Sequence, residues 1–302
     1  MDISVIVPVY RSESTLEELF GRIDNVLGKD YTYEVIFVDD DGGDNSWNVI
    51  EQLHAKHPEK ITAIKLSKNF GQHNAIMCGM HYTKGKFIVT IDDDLQIPPE
   101  ELIKLIQKQK ETNAELVYGV YGQKEHARLR NKGSEMVQKI FRYVFKTTGD
   151  ITSFRLIKTE MKTKISQHAQ SFIFIDGLLH WHTNKISRVL VEHKPRQQGQ
   201  SGYSFVKLFA LAGNLLFNFT TLPLKLMIGA GFTCAVISLI IAVIFMIRKL
   251  VYDVPLGFTA IIVTILFIGS ILMLFLGILG EYISRLYANQ NQKPQFSVKQ
   301  IL

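Results

Sequence analysis

The chain has 302 residues, 47% of them hydrophobic and 21% charged, and a formal net charge of +6. These values exclude a disordered chain, a collagen-like chain and a small disulfide scaffold. Two cysteines, Cys78 and Cys234, are too few for a four-ligand zinc site of their own, and Cys234 in an apolar run fits a reduced, cytosol-facing catalytic part.

Met1-Asp2 leads directly into ISVIVPV, with no basic n-region and no small-residue cleavage site, so no signal peptide is expected. ISVIVPV is a continuous apolar run, as suits a parallel strand buried on both faces. Ser14-Thr15-Leu16-Glu17 has capping-box spacing, and Leu16, Leu19, Phe20, Ile23, Val26 and Leu27 continue it as an amphipathic helix. YEVIFVDD predicts a second buried strand and DNSWNVIEQLHAKH a second helix. ITAIKLS predicts a third strand, followed by a helix from about Gln72 to Tyr82. GKFIVTIDDD reads as a fourth strand, Pro98 and Pro99 open the next helix, and ELVYGVY reads as a fifth strand. Strand and helix alternate throughout, which predicts an α/β domain with a mostly parallel sheet.

Apolar residues in surplus lie after Leu222 and most of the charge before it, an asymmetry that argues against a plain soluble enzyme. Leu226 to Ile247 and Val254 to Gly280 carry no charged residue. About 20 apolar residues cross a bilayer core, so both runs predict membrane spans rather than buried core helices. Only Arg248 to Asp253 separates them, which leaves room for a tight hairpin with both ends on one side. Lys207, Lys225, Arg285, Lys293 and Lys299 flank those ends and point to the cytoplasm. Tyr203 to Thr221 has apolar residues at helical spacing and predicts an interfacial amphipathic helix; a helix packed on the soluble domain is the alternative.

Ligands of parallel α/β sheets bind at the carboxyl ends of the strands. Two strands end there in acidic clusters, Asp39-Asp40-Asp41 and Asp92-Asp93-Asp94. So many carboxylates repel one another unless a cation sits among them. Hard oxygen ligands with no His or Cys beside them suit Mg²⁺ or Mn²⁺ holding a substrate phosphate. Neither a GxxxxGK[ST] loop nor a GxGxxG motif is present. His180 and His182 flank Trp181 with strand-like alternation, but no third ligand accompanies them. His73 and His81 read as surface or packing residues, and Arg155 as structural or substrate-orienting.

IVPVYRSESTLEEL, EVIFVDDDGGDNSW, LSKNFGQHNAIMCGM, IDDDLQIPPEELIKL, ITSFRLI and PRQQGQSGYSFVKL, with the apolar hairpin, together resemble the GT-A glycosyltransferases of family 2. The resemblance is to their polyprenyl-phosphate branch, which includes bactoprenol glucosyltransferases and dolichol-phosphate mannose synthases. It implies a GT-A domain over 1–202, an interfacial helix over 203–221, a membrane hairpin over 222–284 (spans of about 226–247 and 256–280) and a cytoplasmic tail over 285–302. By the same resemblance, Pro8 and Tyr10, with Glu13 beside them, line the nucleotide base, and Asp39 and Asp40 hold base or ribose. Asp92 and Asp94 are the Asp-x-Asp metal pair, with Asp93 between them and Gln96 following. Arg196 with Ser201 belongs to a loop that closes over the diphosphate. Arg128, Arg130, Lys132 and Ser134 lie where the branch binds the acceptor phosphate, although such a run is also a common solvated face.

The implied activity is an inverting, metal-dependent transfer of a hexose, with UDP-glucose as expected donor, to undecaprenyl phosphate at the cytoplasmic face of the inner membrane. The implied assembly is a homo-oligomer, up to a tetramer. The positive charge fits anionic lipid headgroups, and no nucleic-acid recognition motif is present. Two other readings stay open: a GT-A transferase acting on a sugar hydroxyl of a lipid-linked glycan, and a non-catalytic membrane protein that binds a partner.

Overall fold

The computed structural model describes residues 1–121, 142, 144, 150–167, 173–194, 213, 216–217, 220–251, 257–291 and 294–302. It divides into two units, Met1–Leu208 with Gln292–Leu302, and Phe209–Asn291. The expected interfacial helix over 203–221 falls almost wholly outside the described residues.

The first unit contains β1 (Ile3–Val9), α1 (Leu16–Leu27), β2 (Tyr33–Asp39), α2 (Ser46–Lys56), β3 (Ile61–Leu66), α3 (Gln72–Tyr82) and β4 (Phe87–Thr90). A 3-10 turn at Pro99–Glu101 leads into α4 (Leu102–Thr112), then come β5 (Leu116–Val120), β6 (Arg155–Lys158), α5 (Glu160–Ser166), α6 (Ile175–His182) and β7 (Ile186–Leu190). The sheet order is β7-β5-β6-β4-β1-β2-β3-β8, where β8 is Val298–Ile301. β1 to β4 pair in parallel, as do β5 and β7; β6 runs antiparallel between β4 and β5, and β8 antiparallel to β3. The mostly parallel α/β sheet is the one the strand–helix alternation predicts.

Both faces of the sheet are covered, which explains strands that are apolar without alternation. Ile3, Val5, Val7 and Val9 of β1 pack with α1, α2 and α4 on one face, while Ile6 joins α3, α5 and α6 on the other. The helical spacing of α1 puts Leu16, Leu19, Phe20, Ile23 and Leu27 inside, each worth roughly 1.5–3 kcal/mol on burial. The expected capping box does not form. Thr15 is the N-cap, its side chain accepts no amide of the first turn, and its hydroxyl donates to the Asp93 carbonyl at 2.6 Å. The start of α1 is thus tied to the acidic turn after β4.

His180 and His182 lie on helix α6, not on a strand, so the strand-like alternation that would put both on one face does not hold.

In the second unit, α7 (Leu222–Val251) and α8 (Phe258–Gln290) are each long and apolar enough to cross a membrane over Leu222–Ile241 and Phe267–Gln290. At 1.5 Å per residue, the 30 residues of α7 extend about 45 Å.

The segment expected as a tail is built differently. Residues 285–290 continue α8, and Val298–Ile301 form an edge strand of the eight-stranded sheet. Ala63 and Leu302 exchange backbone hydrogen bonds at 3.1 and 2.9 Å, and the Ser67 amide donates to the Ser297 carbonyl at 2.8 Å. Phe296 packs its ring 5.5 Å from His81. Any chain ending before the hairpin therefore lacks the eighth strand and leaves the β3 edge open, a site for wrong pairing. Truncation after Asn291 is expected to remove on the order of 1–2 kcal/mol, lowering the unfolding midpoint by roughly 2–8 °C. Differential scanning calorimetry with light scattering reads both the shift and the self-association.

Candidate active site

The acidic clusters converge on the end of β1. In the parallel register Val9 lies opposite Asp39, and the Ile91 amide after β4 donates to the Ile6 carbonyl. The Asp40 amide continues the ladder to the Val9 carbonyl at 2.9 Å, and the Tyr10 amide donates to Asp93 Oδ2 at 2.9 Å. The two clusters expected at one sheet edge are therefore brought together there.

Each carboxylate has a different environment. Asp40 is buried, and its two oxygens accept the amides of Phe70 (2.7 Å) and Gly71 (2.8 Å). Gly71 sits at φ +91°, a conformation glycine adopts without penalty and the one that presents both amides to Asp40. Asp40 thus shapes the turn into α3. Asp39 is equally buried, and its Oδ1 has no hydrogen-bond partner among the described residues. Burial pushes this carboxyl up to about 6, partly offset by the Lys65 charge and the Gly42 amide. A buried acceptor of this kind calls for a donor, which water or a bound ligand would supply.

Asp92 receives Gln72 Nε2 on Oδ1 at 2.6 Å and Ser153 Oγ on Oδ2 at 2.5 Å. Asp94 Oδ1 accepts the Gln96 amide at 3.1 Å, and the Gln96 carbonyl accepts the Lys194 amide at 2.7 Å. Asp93, turned toward Tyr10, is pushed up to about 6 by burial, with Asp92 and Asp94 raising it further. Among the described residues no third His, Cys, Asp or Glu joins Asp92 and Asp94 as a metal-binding group. A two-carboxylate, oxygen-only set fits a hard divalent cation that takes its other ligands from a diphosphate and water.

Other expected residues hold the rim. Pro8 lies in β1 opposite Val38. Tyr10 is 46% exposed, with the Arg11 guanidinium carbon 5.3 Å from its ring centroid. Glu13 Oε2 accepts the Asn45 amide at 2.9 Å and Arg11 Nε donates to the Gly42 carbonyl at 2.9 Å, stapling the β1 and β2 loops together. A Cβ on Gly42 would come 2.7 Å from the Arg11 nitrogen, so the two loops meet only because that residue is glycine. Arg128, Arg130, Lys132, Ser134, Arg196 and Ser201 lie outside the described residues.

Sequence reasoning passed over Gln72, Ser153 and the Tyr121–His193 ring pair, whose centroids are 4.4 Å apart. Gln72 and Ser153 stand inside the stretches LSKNFGQHNA and ITSFRL, which carry the family resemblance but show no charge or spacing that marks a role.

The glycosyl transferase family 2 model matches residues 4–173. This chain belongs to that family. It is 32% identical to the undecaprenyl-phosphate 4-deoxy-4-formamido-L-arabinose transferase of Shewanella sediminis, over 99% of this chain and 92% of that protein. It is 31% identical to the Proteus mirabilis protein of the same name, over 99% and 94%. Among solved structures, it is similar in fold to glucosyl-3-phosphoglycerate synthase of Mycobacterium tuberculosis in complex with Mn²⁺, UDP-glucose and phosphoglyceric acid. The TM-score is 0.53 at 15% identity, covering 72% of this chain and 77% of that one. This family 2 glycosyltransferase therefore has the GT-A fold, followed by two apolar helices.

The raised carboxyl of Asp39 fixes a pH dependence. Its folded-state value lies above the unfolded one, so the stability it lends is complete below about 4 and lost as pH rises through about 6. Asp39→Asn is expected to raise the unfolding midpoint by a few degrees at pH 7.5. That gain should vanish as pH falls from 6 to 4 in a calorimetric series.

Proposed function

We propose that this family 2 glycosyltransferase moves a sugar from a nucleoside diphosphate to a polyprenyl phosphate, with undecaprenyl phosphate as acceptor and UDP-glucose as the first donor to try. The donor half rests on one arrangement: the buried Asp39 oxygen without a partner and the exposed Tyr10 ring, at the edge that carries Asp92 and Asp94. Asp39 would accept a base or ribose hydrogen, Tyr10 would stack on the base, and Pro8 and Glu13 would shape the pocket. Asp40 would act by holding the turn into α3, and Asp93 by holding Tyr10. The relatives named for undecaprenyl phosphate support the acceptor; their formamido-arabinose keeps the sugar an open choice among glycosyl donors.

Asp92 and Asp94, with Gln96 beside them, would hold Mg²⁺ or Mn²⁺ against the diphosphate. The cation, when bound, supplies positive charge that stabilises the leaving group. Arg196 would clamp the same oxygens through its planar fork, with Ser201 in the same loop. Arg128, Arg130, Lys132 and Ser134 would receive the acceptor phosphate. A phosphate monoester is ionised at neutral pH, with a second pKa of about 6, so its oxygen needs no protein base to attack. The apolar helices would keep the enzyme at the cytoplasmic face of the membrane that holds its acceptor, and a homo-oligomer is the expected assembly.

The deciding experiment incubates purified full-length protein with undecaprenyl phosphate, Mn²⁺ and a panel of nucleotide sugars, and reads the lipid product by mass spectrometry. A polyprenyl-monophosphate sugar is expected. Transfer only to a sugar hydroxyl, or none with any donor, would sink the reading. Asp92→Asn and Asp94→Asn should each lower turnover about a hundredfold, the scale of roughly 3 kcal/mol of transition-state stabilisation. Asp93→Asn, which keeps an acceptor for the Tyr10 amide, should be far milder. Arg130→Ala should raise the acceptor KM and leave donor KM unchanged.

A further inference from the structure

Beneath the acidic edge lies an ion pair that donor binding leaves unexplained. Arg155 of β6 is 1% exposed and Asp176, in the first turn of α6, 4%. Their side chains form a salt bridge through Arg155 Nη1 and Asp176 Oδ1, and the same oxygen accepts the Tyr118 hydroxyl at 2.8 Å. Arg155 stands in register with Thr90 of β4 on one side and Tyr118 of β5 on the other, so the three side chains share a row on one face. Desolvating two charges is expensive, and a buried pair is often no more stable than apolar residues of the same volume. Stability alone therefore gives no reason to keep the pair.

Geometry gives one. Arg155 Nε donates to Thr90 Oγ1 at 3.1 Å. A guanidinium only donates, so Thr90 must accept there and turn its own hydrogen elsewhere. It donates to the Ser153 carbonyl. Ser153 in turn donates from Oγ to Asp92 Oδ2, the oxygen opposite the one held by Gln72. Donor direction is fixed from the buried end as far as the Ser153 carbonyl, and holding that carbonyl places the serine whose hydroxyl donates to Asp92. Thr152 anchors the same loop by donating to the Gly119 carbonyl at 2.8 Å. Lysine could not replace Arg155, since a point ammonium lacks a planar fork reaching both Asp176 and Thr90.

We infer that Arg155 and Asp176 are positioning residues that set the Asp92 carboxylate through Thr90 and Ser153. The part of this that concerns a bound cation rests on the function proposed above; the placement of Asp92 does not. The test uses full-length protein in detergent with three changes: the apolar pair R155M/D176L, Thr90→Val and Ser153→Ala. Three quantities are read: the unfolding midpoint, the Gln72 side-chain amide resonance by ¹⁵N NMR, and Mn²⁺ affinity in the presence of UDP by electron paramagnetic resonance. R155M/D176L should unfold within a few degrees of the parent, yet its Gln72 amide should shift toward the position of a solvated glutamine. Its Mn²⁺ affinity should fall at least about tenfold, the usual effect of losing a residue behind a metal ligand. Thr90→Val and Ser153→Ala should reproduce the resonance shift with a smaller loss of affinity. An unmoved Gln72 amide in both Thr90→Val and R155M/D176L would overturn the proposal, and Thr90→Val decides alone if the double variant does not fold. If the parent itself binds no Mn²⁺ with UDP, the functional reading fails, and the Gln72 resonance still decides the positioning role.

Discussion

Everything at the functional edge follows from crowding carboxylates at the ends of β2 and β4, the strands on either side of β1. Asp39, Asp40, Asp92, Asp93 and Asp94 would repel one another if all were left bare. The fold answers with a separate donor for nearly every one: the Phe70 and Gly71 amides for Asp40, the Tyr10 amide for Asp93, Gln72 and Ser153 for Asp92, the Gln96 amide for Asp94. Those donors come from β1, α3, the β5–β6 connection and the turn after β4, so the cluster organises the loops as much as the loops organise the cluster. Asp39 has the Gly42 amide, but its Oδ1 has no partner among the described residues, and burial raises this carboxyl.

Backbone strain gathers at the same edge. Arg11, Asp41 and Leu95 have φ between +52° and +58°, and all three follow a strand or the acidic turn that faces the site. Left-handed backbone is unfavourable for a side chain such as leucine, and it persists only where the surroundings over-determine it. Here they do. Arg11 is tied to Gly42, and Leu95 lies between Asp94 and Gln96, which are joined by their own hydrogen bond. Strain and charge repulsion both lower stability at one place, the usual mark of a site shaped for binding rather than for folding.

Much of the fold was legible because the strands are buried on both faces and the helices are amphipathic. Continuous runs such as ISVIVPV and the 3.6-residue spacing of α1 leave little freedom of assignment. The Asp clusters were legible as well, because carboxylates at strand ends have few bland explanations. Misreadings arose where short-range pattern competes with tertiary contact. Ser14 to Glu17 has the spacing of a capping box, but Thr15 is drawn to the Asp93 carbonyl, 78 positions away. Alternation over His180-Trp181-His182 mimics a strand, yet the residues close a two-turn helix whose first turn carries Asp176. Gln72, Ser153 and Arg155 were illegible as partners, because their hydrogen bonds depend on a sheet order that inserts β6 between β4 and β5. The strand at Val298–Ile301 was hidden for the same reason: its partner, β3, is more than 200 residues earlier.

That last pairing constrains the membrane arrangement. β8 hydrogen-bonds to β3, so the segments before α7 and after α8 belong to one folded unit. A folded sheet cannot be divided by a bilayer, and the chain must therefore cross an even number of times between Leu208 and Gln292. If α7 spanned and α8 did not, β8 would lie across the membrane from the strand it pairs with. The two helices thus cross together or not at all. Exposed Leu226, Ile228 and Phe232 on α7, and Met273, Leu274 and Leu276 on α8, favour crossing, since so much apolar surface is costly in water and neutral in lipid. Parity set by an edge strand is independent of loop charge, so Arg248 and Lys249 between the two helices carry no weight in it.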